Sequence, residues 1–158
     1  MVTGSKELIR DINSNIVLET IINSTSISRA SLSKKLGLTK ATISVIVQEL
    51  MNKNLVLEIG NDNTSVGRKP ILLSLNKEAG YVISIDLGVD TISALVTDLQ
   101  GEELKLKQIK TPKDTNTLID VLIGLIESIQ TLAPQSAYGL VGISIGIHGV
   151  VLNNKVLF

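Results

Sequence analysis

The sequence predicts an α+β fold in two parts, which we place at residues 1–77 and 78–158. Three observations lead to this prediction. Apolar residues recur at helical spacing between Leu8 and Leu50, whereas from Tyr81 onward they follow the pattern of β-strands. The chain has 158 residues, which is enough for two small domains. Hydrophobic residues make up 44% of it and aromatic residues only 2%, so each core must consist of Leu, Ile and Val.

The composition excludes several classes of site. There is no cysteine, so neither a disulfide nor a thiolate metal site is available, and one histidine is too few for a zinc site. No stretch is apolar for the roughly 18 to 20 residues of a membrane span, and the N-terminus lacks the apolar core of a signal peptide. We therefore expect a cytoplasmic protein with no bound metal and no membrane partner.

Charge is distributed unevenly along the chain although it sums to zero. Through Asn76, nine Lys and Arg stand against six Asp and Glu, which gives +3, and the remaining residues carry −3. The direction of this asymmetry places any polyanionic partner on the first part.

The first part begins with a predicted scaffold helix from Leu8 to Ile22. Its charged residues are left for solvent, and the predicted packing face consists of Leu8, Ile9, Ile12, Ile16 and Ile21. Two shorter helical patterns follow, opened by Ser28 and Thr39 as N-cap residues and separated by Gly37. Two helices therefore meet across a tight turn.

The helix pair has the spacing of a helix-turn-helix. That motif needs a small residue where the helices cross, a turn glycine and then an apolar residue, and Ser33, Gly37 and Ile43 fill these places. We predict a buried face on the second helix, made of Ile43, Ile46, Val47 and Leu50. The remaining residues, mostly short and polar, suit the edges of bases and the phosphates of a major groove. The predicted DNA contacts of the pair are Ser28, Arg29, Thr39, Lys40, Ala41, Thr42, Ser44, Val45 and Gln48. The alternative is an ordinary helical hairpin.

Two strand patterns, LVLEIG and ILLSLN, flank the polar run NDNTSVGRKP. We interpret them as a wing, so that residues 1–77 form a winged helix-turn-helix domain that binds double-stranded DNA. The predicted tip carries Arg68 and Lys69 between Gly67 and Pro70, and these cations suit the potential of a narrow minor groove. A solvated hairpin tip is the alternative for both residues.

The second part opens with three predicted strands, residues 81–87, 91–99 and 102–111, joined by short turns into an antiparallel meander. A predicted helix begins at Thr115 and ends before Pro134. Its apolar face consists of Leu118, Leu122, Leu125, Ile129 and Leu132. The run GLVGISIGI then predicts a strand of the kind that is buried on both faces. This order of elements is that of the ribonuclease H-like lobe shared by sugar kinases and actin.

The succession of LTKATISVIVQEL, GRKP, YVISIDLGVDTISALVTDLQG and VGISIGIHGVV resembles the ROK family (repressors, open reading frames, kinases), in its xylose-repressor-like transcriptional branch. The resemblance runs from about Leu8 to Leu152. It implies a bacterial repressor of carbohydrate genes that binds double-stranded operator DNA and, in a full-length form, responds to a sugar effector.

The resemblance also bears on cofactors. The family's sugar-binding aspartate, its Glu-x-Gly-His motif and its cysteine-rich zinc loop lie beyond the point that Phe158 occupies here. We therefore expect no cofactor in this chain. We also expect the chain to be a fragment or truncated product, which ends within an incomplete ribonuclease H-like lobe.

In the kinases of the family, the first strand of this lobe ends in Asp-x-Gly-Gly-Thr, whose glycines let backbone N–H groups approach phosphates. Asp86, Gly88 and Thr91 stand at the corresponding loop, but Val89 replaces the second glycine and Asp90 adds a negative charge. We interpret this phosphate loop as degenerate and expect no enzymatic activity. The alternative is a ROK-type sugar kinase or sugar-binding protein with an accessory winged helix.

His148, in GIHGV, stands where the family more often has proline next to the sugar cleft. One interpretation is a residue close to the sugar, and the other is a polar turn residue at the end of a strand.

Self-association is expected of residues 78–158. Val141, Ile143, Ile145 and Ile147 offer no polar face to water, and one helix can cover only one side of the sheet. We therefore predict a homo-oligomer, with VVLNNKVLF forming an irregular tail or an exchanged strand.

Overall fold

A computed structural model describes residues 6–61, 70–153 and 155–157 of the chain. The chain divides into two compact units, Met1–Asn76 and Lys77–Phe158, each with its own apolar core. The fold is mixed α and β in both units. Within the described residues, no helix has the length and apolar character needed to cross a membrane.

The first unit combines three helices with a small antiparallel sheet. Its elements in chain order are α1 (Lys6–Ile22), β1 (Ile27–Ser28), α2 (Arg29–Leu36), α3 (Lys40–Asn52), β2 (Val56–Asn61) and β3 (Ile71–Leu75). Strand β3 lies between β1 and β2 in the sheet. The core comes from all three helices and the sheet, and includes Val17, Ile21, Leu32, Ile43, Val47 and Leu73.

Both predicted N-caps of the helix pair are confirmed. The Ser28 Oγ accepts a hydrogen bond from the Ser31 N–H at 3.1 Å, and the Thr39 Oγ1 accepts one from the Thr42 N–H at 3.1 Å. Gly37 ends α2 with a φ of 66°, in the left-handed region that favours glycine. These three residues set the turn that orients α3 against α2.

The predicted packing face of α1 is wrong over the first half of the helix. Leu8, Ile9, Ile12 and Ile16 are 42–54% exposed, whereas Val17, Thr20 and Ile21 are buried. Helical spacing shows that these residues share a helix, but it does not show where along the axis the neighbouring helices begin. Only the last turns of α1 meet the rest of the core.

The second unit is built around a four-stranded sheet with the order β6-β5-β4-β7. Its elements are β4 (Tyr81–Leu87), β5 (Thr91–Asp98), β6 (Glu103–Lys110), α4 (Leu118–Gln130), β7 (Leu140–Ile147), β8 (Val150–Leu152) and β9 (Lys155–Leu157). The predicted antiparallel meander β4-β5-β6 is confirmed, and β7 joins β4 in parallel.

Two predictions for the second unit need correction at the ends of elements. Residues Thr115–Thr117 form a 3₁₀ turn rather than the first turn of α4, and the Thr117 side chain makes no capping hydrogen bond. Strands β8 and β9 pair with each other as an antiparallel hairpin, so Val150–Leu152 and Lys155–Leu157 form neither the irregular tail nor the exchanged strand that was predicted. Asn153, in the turn between them, has a φ of 50°, which asparagine tolerates better than most residues.

The core of the second unit lies between α4 and the centre of the sheet. Leu122, Leu125 and Ile129 pack against Ile83 and the buried side chains of β5. Strand β7 lies outside this cover, and Val141, Ile143, Ile145 and Ile147 are 45–57% exposed. The prediction of a strand buried on both faces is therefore wrong, while the predicted open apolar face is confirmed.

The buried carboxylate of Asp98 stabilises the turn between β5 and β6. The Asp98 Oδ1 accepts hydrogen bonds from the Gln100 and Glu102 N–H groups, both at 2.9 Å, and the Lys77 Nζ lies 3.4 Å from its Oδ2. Burial alone raises the pKa of Asp98, but the two N–H donors and Lys77 outweigh it and the net pKa is lowered. Lys77 also pairs with Glu102, and mainly this contact raises the pKa of Lys77.

Candidate nucleic-acid interface

Helix α3 presents two chemically distinct faces. The predicted buried face is confirmed, since Ile43, Ile46, Val47 and Leu50 are 0–3% exposed. On the other side, Thr42 is half-buried and the remaining predicted contacts of this helix and its cap are exposed: Thr39, Lys40, Ala41, Ser44, Val45 and Gln48. The N-terminal half of α3 therefore offers solvent one cation, several hydroxyls and two small apolar side chains.

Several of these polar groups already have partners within the helix. The Ser44 Oγ donates to the Lys40 carbonyl at 2.8 Å, and the Gln48 Nε2 donates to the Asn52 Oδ1 at 3.0 Å. The hydroxyls of Thr39 and Thr42 are 2.9 Å apart. The Ser44 hydroxyl keeps its acceptor lone pairs, and the Gln48 amide keeps its carbonyl oxygen and a second N–H for an outside partner.

The two residues at the start of α2 both have partners within their own unit. Ser28 is 9% exposed and its hydroxyl serves the N-cap, while its contact with DNA stays a prediction. The Arg29 Nη2 lies 2.8 Å from the Glu58 Oε1 and 3.6 Å from the Met51 Sδ. Arg29 is therefore engaged with α3 and β2 of its own unit.

A surface groove of about 520 Å³ separates the N-terminal half of α1 from that of α3. The α1 side contributes Lys6, Arg10 and Asn13, and the α3 side contributes Ala41, Thr42 and Val45. Arg10 also forms an ion pair with Glu49 of α3. No sequence signal associates Lys6 or Asn13 with α3, because Lys6 was predicted only to face solvent and Asn13 has no predicted role.

The predicted basic tip of the wing, Arg68 and Lys69, lies outside the described residues. The strands at the base of the predicted wing, β2 and β3, are described. Glu58 of β2 stands opposite Leu73 of β3, and the next paired residue of β2 is Asn61, opposite Ile71. This register shift is a β-bulge, and Gly60 within it has a φ of 52°. The hairpin therefore bends directly after Glu58.

The proposed phosphate loop forms a closed hairpin between β4 and β5. The Gly88 N–H donates to the Thr91 carbonyl at 3.1 Å, and a Cβ at position 88 would lie 2.7 Å from that oxygen. The Thr111 Oγ1 donates to the Gly88 carbonyl at 2.7 Å. Tight closure of the hairpin thus accounts for this glycine, and its N–H is already used.

At the same end of the sheet, the His148 Nε2 lies 3.3 Å from the Asp86 Oδ1, and both side chains are about two-thirds exposed. Parallel pairing causes this contact, because the carboxyl ends of β4 and β7 meet at one edge. A mostly apolar pocket of about 230 Å³ opens beside it, lined by Leu87, Gly88, Val89, Thr111, Pro112, Leu118, Ile147 and His148. Proximity of His148 to a sugar stays a prediction.

Comparison with known proteins adds independent information. Residues 82–157 match the ROK family model. The xylose repressor of Bacillus spizizenii is 41% identical over 98% of this chain, and that of Staphylococcus xylosus is 41% identical over 88%. The chain spans only 41% and 37% of the length of these two relatives.

A solved structure shows the same likeness in three dimensions. The crystal structure of a ROK family transcriptional regulator, described as a homolog of the E. coli MLC protein, is 29% identical with a TM-score of 0.65. The match covers 90% of this chain and 37% of that one. The chain therefore carries a ROK family domain in its second unit and is similar along nearly its whole length to transcriptional regulators of that family.

Proposed function

We propose that the first unit is a winged helix-turn-helix domain that binds double-stranded operator DNA, and that the chain acts in the repression of carbohydrate-utilisation genes. The observation that carries this proposal is the division of α3 into a fully packed face and a polar face that opens at its N-terminus. The xylose repressors and the ROK transcriptional regulator among its relatives support the same function. Binding to the chromosome of a bacterium places the chain in the cytoplasm.

In this proposal α3 is the recognition helix and lies in the major groove. Lys40 and Gln48 supply hydrogen-bond donors for phosphates and base edges, and Ser44 accepts or donates according to its rotamer. Ala41 and Val45 are exposed and apolar, which suits contact with thymine methyl groups. The wing, through Arg68 and Lys69, adds contacts in the adjacent minor groove.

We propose that the second unit is the opening part of a ribonuclease H-like lobe without phosphoryl-transfer activity. The Gly88 N–H, which a phosphate-binding loop would leave for its ligand, closes the hairpin to Thr91 instead. Val89 and Asp90 extend from the same loop. In a full-length form, a sugar effector bound to this lobe would set the affinity of the DNA-binding unit.

We further propose that the chain associates with a second copy of itself through β7. This strand lies at the edge of the described sheet, and its aliphatic side chains are exposed on the face that α4 covers elsewhere. A strand edge of this kind pairs readily with another strand. Two copies would also match an operator with two half-sites.

The first step of the test is to select duplexes from a random library with the whole chain. The selected duplex is then titrated at about 50 and 200 mM salt, because contacts with phosphates make the affinity fall between these two concentrations. A DNA-binding domain gives a preferred sequence and an affinity that falls steeply with salt. Arg68→Ala is expected to reduce the salt slope by about 1 if the wing contacts a phosphate. Recovery of no preferred sequence, with weak binding of every duplex, contradicts the proposal.

A further inference from the structure

We infer that Arg29 positions the wing through Glu58 and makes no contact with DNA itself. This inference rests on the proposed DNA binding and assigns a role within it. Arg29 is the first residue of α2, directly after β1, and its guanidinium reaches Glu58 on β2 at 2.8 Å. The ion pair therefore joins the helix pair to the strand that leads into the wing.

The position of Glu58 in the sheet explains how its carboxylate reaches Arg29. In the central strand, Leu73 stands opposite Ile27 of β1 on one side and opposite Glu58 of β2 on the other. Residues directly opposite each other point to the same face, and Ile27 and Leu73 are both buried. Glu58 thus extends its carboxylate along the face that carries the core, where the guanidinium of Arg29 meets it, and its side chain keeps 37% of its surface exposed.

The local backbone explains why this pair matters for the wing. Glu58 is the last residue of β2 in regular register, and the bulge that contains Gly60 follows at once. A bulge bends the strand and increases its twist, so the direction taken by the next residues depends on how firmly the preceding one is held. Arg29 holds that residue from the helix side and also contacts the Met51 Sδ of α3.

The experiment measures the affinity of the whole chain for a duplex selected by the wild type. Two variants remove the ion pair, Arg29→Gln and Glu58→Gln, and a third exchanges its charges, Arg29→Glu/Glu58→Arg. Each single change is expected to weaken binding about three- to fivefold, the scale of one partly exposed ion pair. The exchanged pair is expected to bind within about twofold of wild type, because the link is restored with reversed charges. Lys34→Gln, on the same helix, is the control for loss of a cation.

The effect of Glu58→Gln separates the two roles of Arg29. Removing an acidic residue makes the unit more positive, which by itself strengthens DNA binding. Weaker binding of Glu58→Gln and recovery by the exchanged pair support the positioning role. Stronger binding of Glu58→Gln, with no recovery by the exchanged pair, shows that Arg29 contacts DNA and overturns the inference. A change in thermal stability with unchanged affinity at a temperature where all variants are folded also overturns it.

Amide hydrogen exchange in the free chain gives a readout that does not depend on DNA. Arg29→Gln and Glu58→Gln are each expected to accelerate exchange at residues 58–60 by a similar factor, while Lys34→Gln leaves it unchanged. If the wild type selects no duplex, the proposed function fails, and this measurement still decides whether Arg29 holds β2. Unchanged exchange at residues 58–60 in both variants would refute the inference.

Discussion

Helix α3 and strand β7 both carry exposed side chains, and the two sets differ in chemistry. The exposed N-terminal face of α3 is mostly short and polar, while its opposite face is closed within its own unit. Strand β7 exposes four aliphatic side chains, with glycine or serine between them. This difference is why we propose two kinds of partner: a charged, hydrated surface such as DNA for α3, and an apolar protein surface for β7.

The largest expected effect is on the stability of the first unit, when a charge is placed on the buried face of α3 rather than on its exposed face. Ile43 is 0% exposed and Val45 is 55% exposed, two residues apart on one helix. Ile43→Asp is expected to unfold the first unit, at a cost above about 4 kcal/mol, because it buries an unpaired carboxylate. Val45→Asp is expected to leave the unit folded. Thermal unfolding followed by circular dichroism measures both, and equal stability of the two variants would remove the distinction between the faces.

A matched pair of variants tests the apolar face of β7. Ile145 and Leu106 are 50% and 51% exposed, but Ile145 lies on β7 and Leu106 on β6. Ile145→Lys is expected to weaken self-association at least about tenfold, whereas Leu106→Lys leaves it unchanged. Sedimentation at about 50 µM, a concentration that detects micromolar affinities, measures this for the whole chain and for residues 1–77. A wild-type chain that stays monomeric shows that β7 has no second copy as its partner.

Two serines in the helix pair separate DNA reading from folding. The Ser44 side chain is exposed on α3, while the Ser33 Oγ donates to the Leu38 carbonyl at 2.7 Å where the helices cross. Ser44→Ala is expected to change the preference among operator bases by about 1 to 3 kcal/mol if it contacts a base directly. Ser33→Ala is expected to lower stability by about 1 kcal/mol and to keep the same preference. Competition between selected and substituted duplexes measures the preference, and identical preferences in both variants would rule out a base contact by Ser44.

A further prediction concerns the stability that Asp98 contributes and its loss in acid. Its folded pKa lies below the ordinary value of 3.8, so the stability it contributes is present above that value and is lost as the pH falls through the lower folded pKa. Asp98→Asn is expected to cost about 1 to 2 kcal/mol at neutral pH and to flatten the acid limb of the stability curve. Urea unfolding between about pH 2 and 7 measures this, with the exposed Asp120→Asn as control. An unchanged acid limb in Asp98→Asn would show that other carboxylates govern it.

Much of the fold follows from local sequence signals. Ser28, Gly37 and Thr39 set the turn of the helix pair, and alternation along residues 81–110 predicts the meander, because each signal acts within a few residues. The buried face of α3 was predictable for the same reason, since its spacing was fixed by the position of Gly37.

The incorrect predictions concern contacts between distant residues. The spacing of apolar residues in α1 does not show that Ile9 and Ile12 lie beyond the core. The apolar composition of β7 does not show which face of the strand packs against another element. The Arg29–Glu58 pair arises from the register of three strands, which the sequence pattern does not specify. The DNA contact predicted for Arg29 follows from its place at the start of a helix and stays a prediction, while its ion-pair partner Glu58, 29 residues further along the chain, could not be anticipated from that place.

The assignment of α3 as the recognition helix is tested most directly by asking whether its exposed face distinguishes one DNA sequence from another. The measurement is the ratio of affinities for the selected duplex and a scrambled one, for wild type and for Lys40→Ala/Gln48→Ala, at equal salt. We expect the variant to stay folded, since both side chains are exposed, and the ratio to fall about thirtyfold or more, the scale of losing one or two base contacts. A folded variant that discriminates between the two duplexes as well as wild type does would contradict the assignment of α3 as the recognition helix.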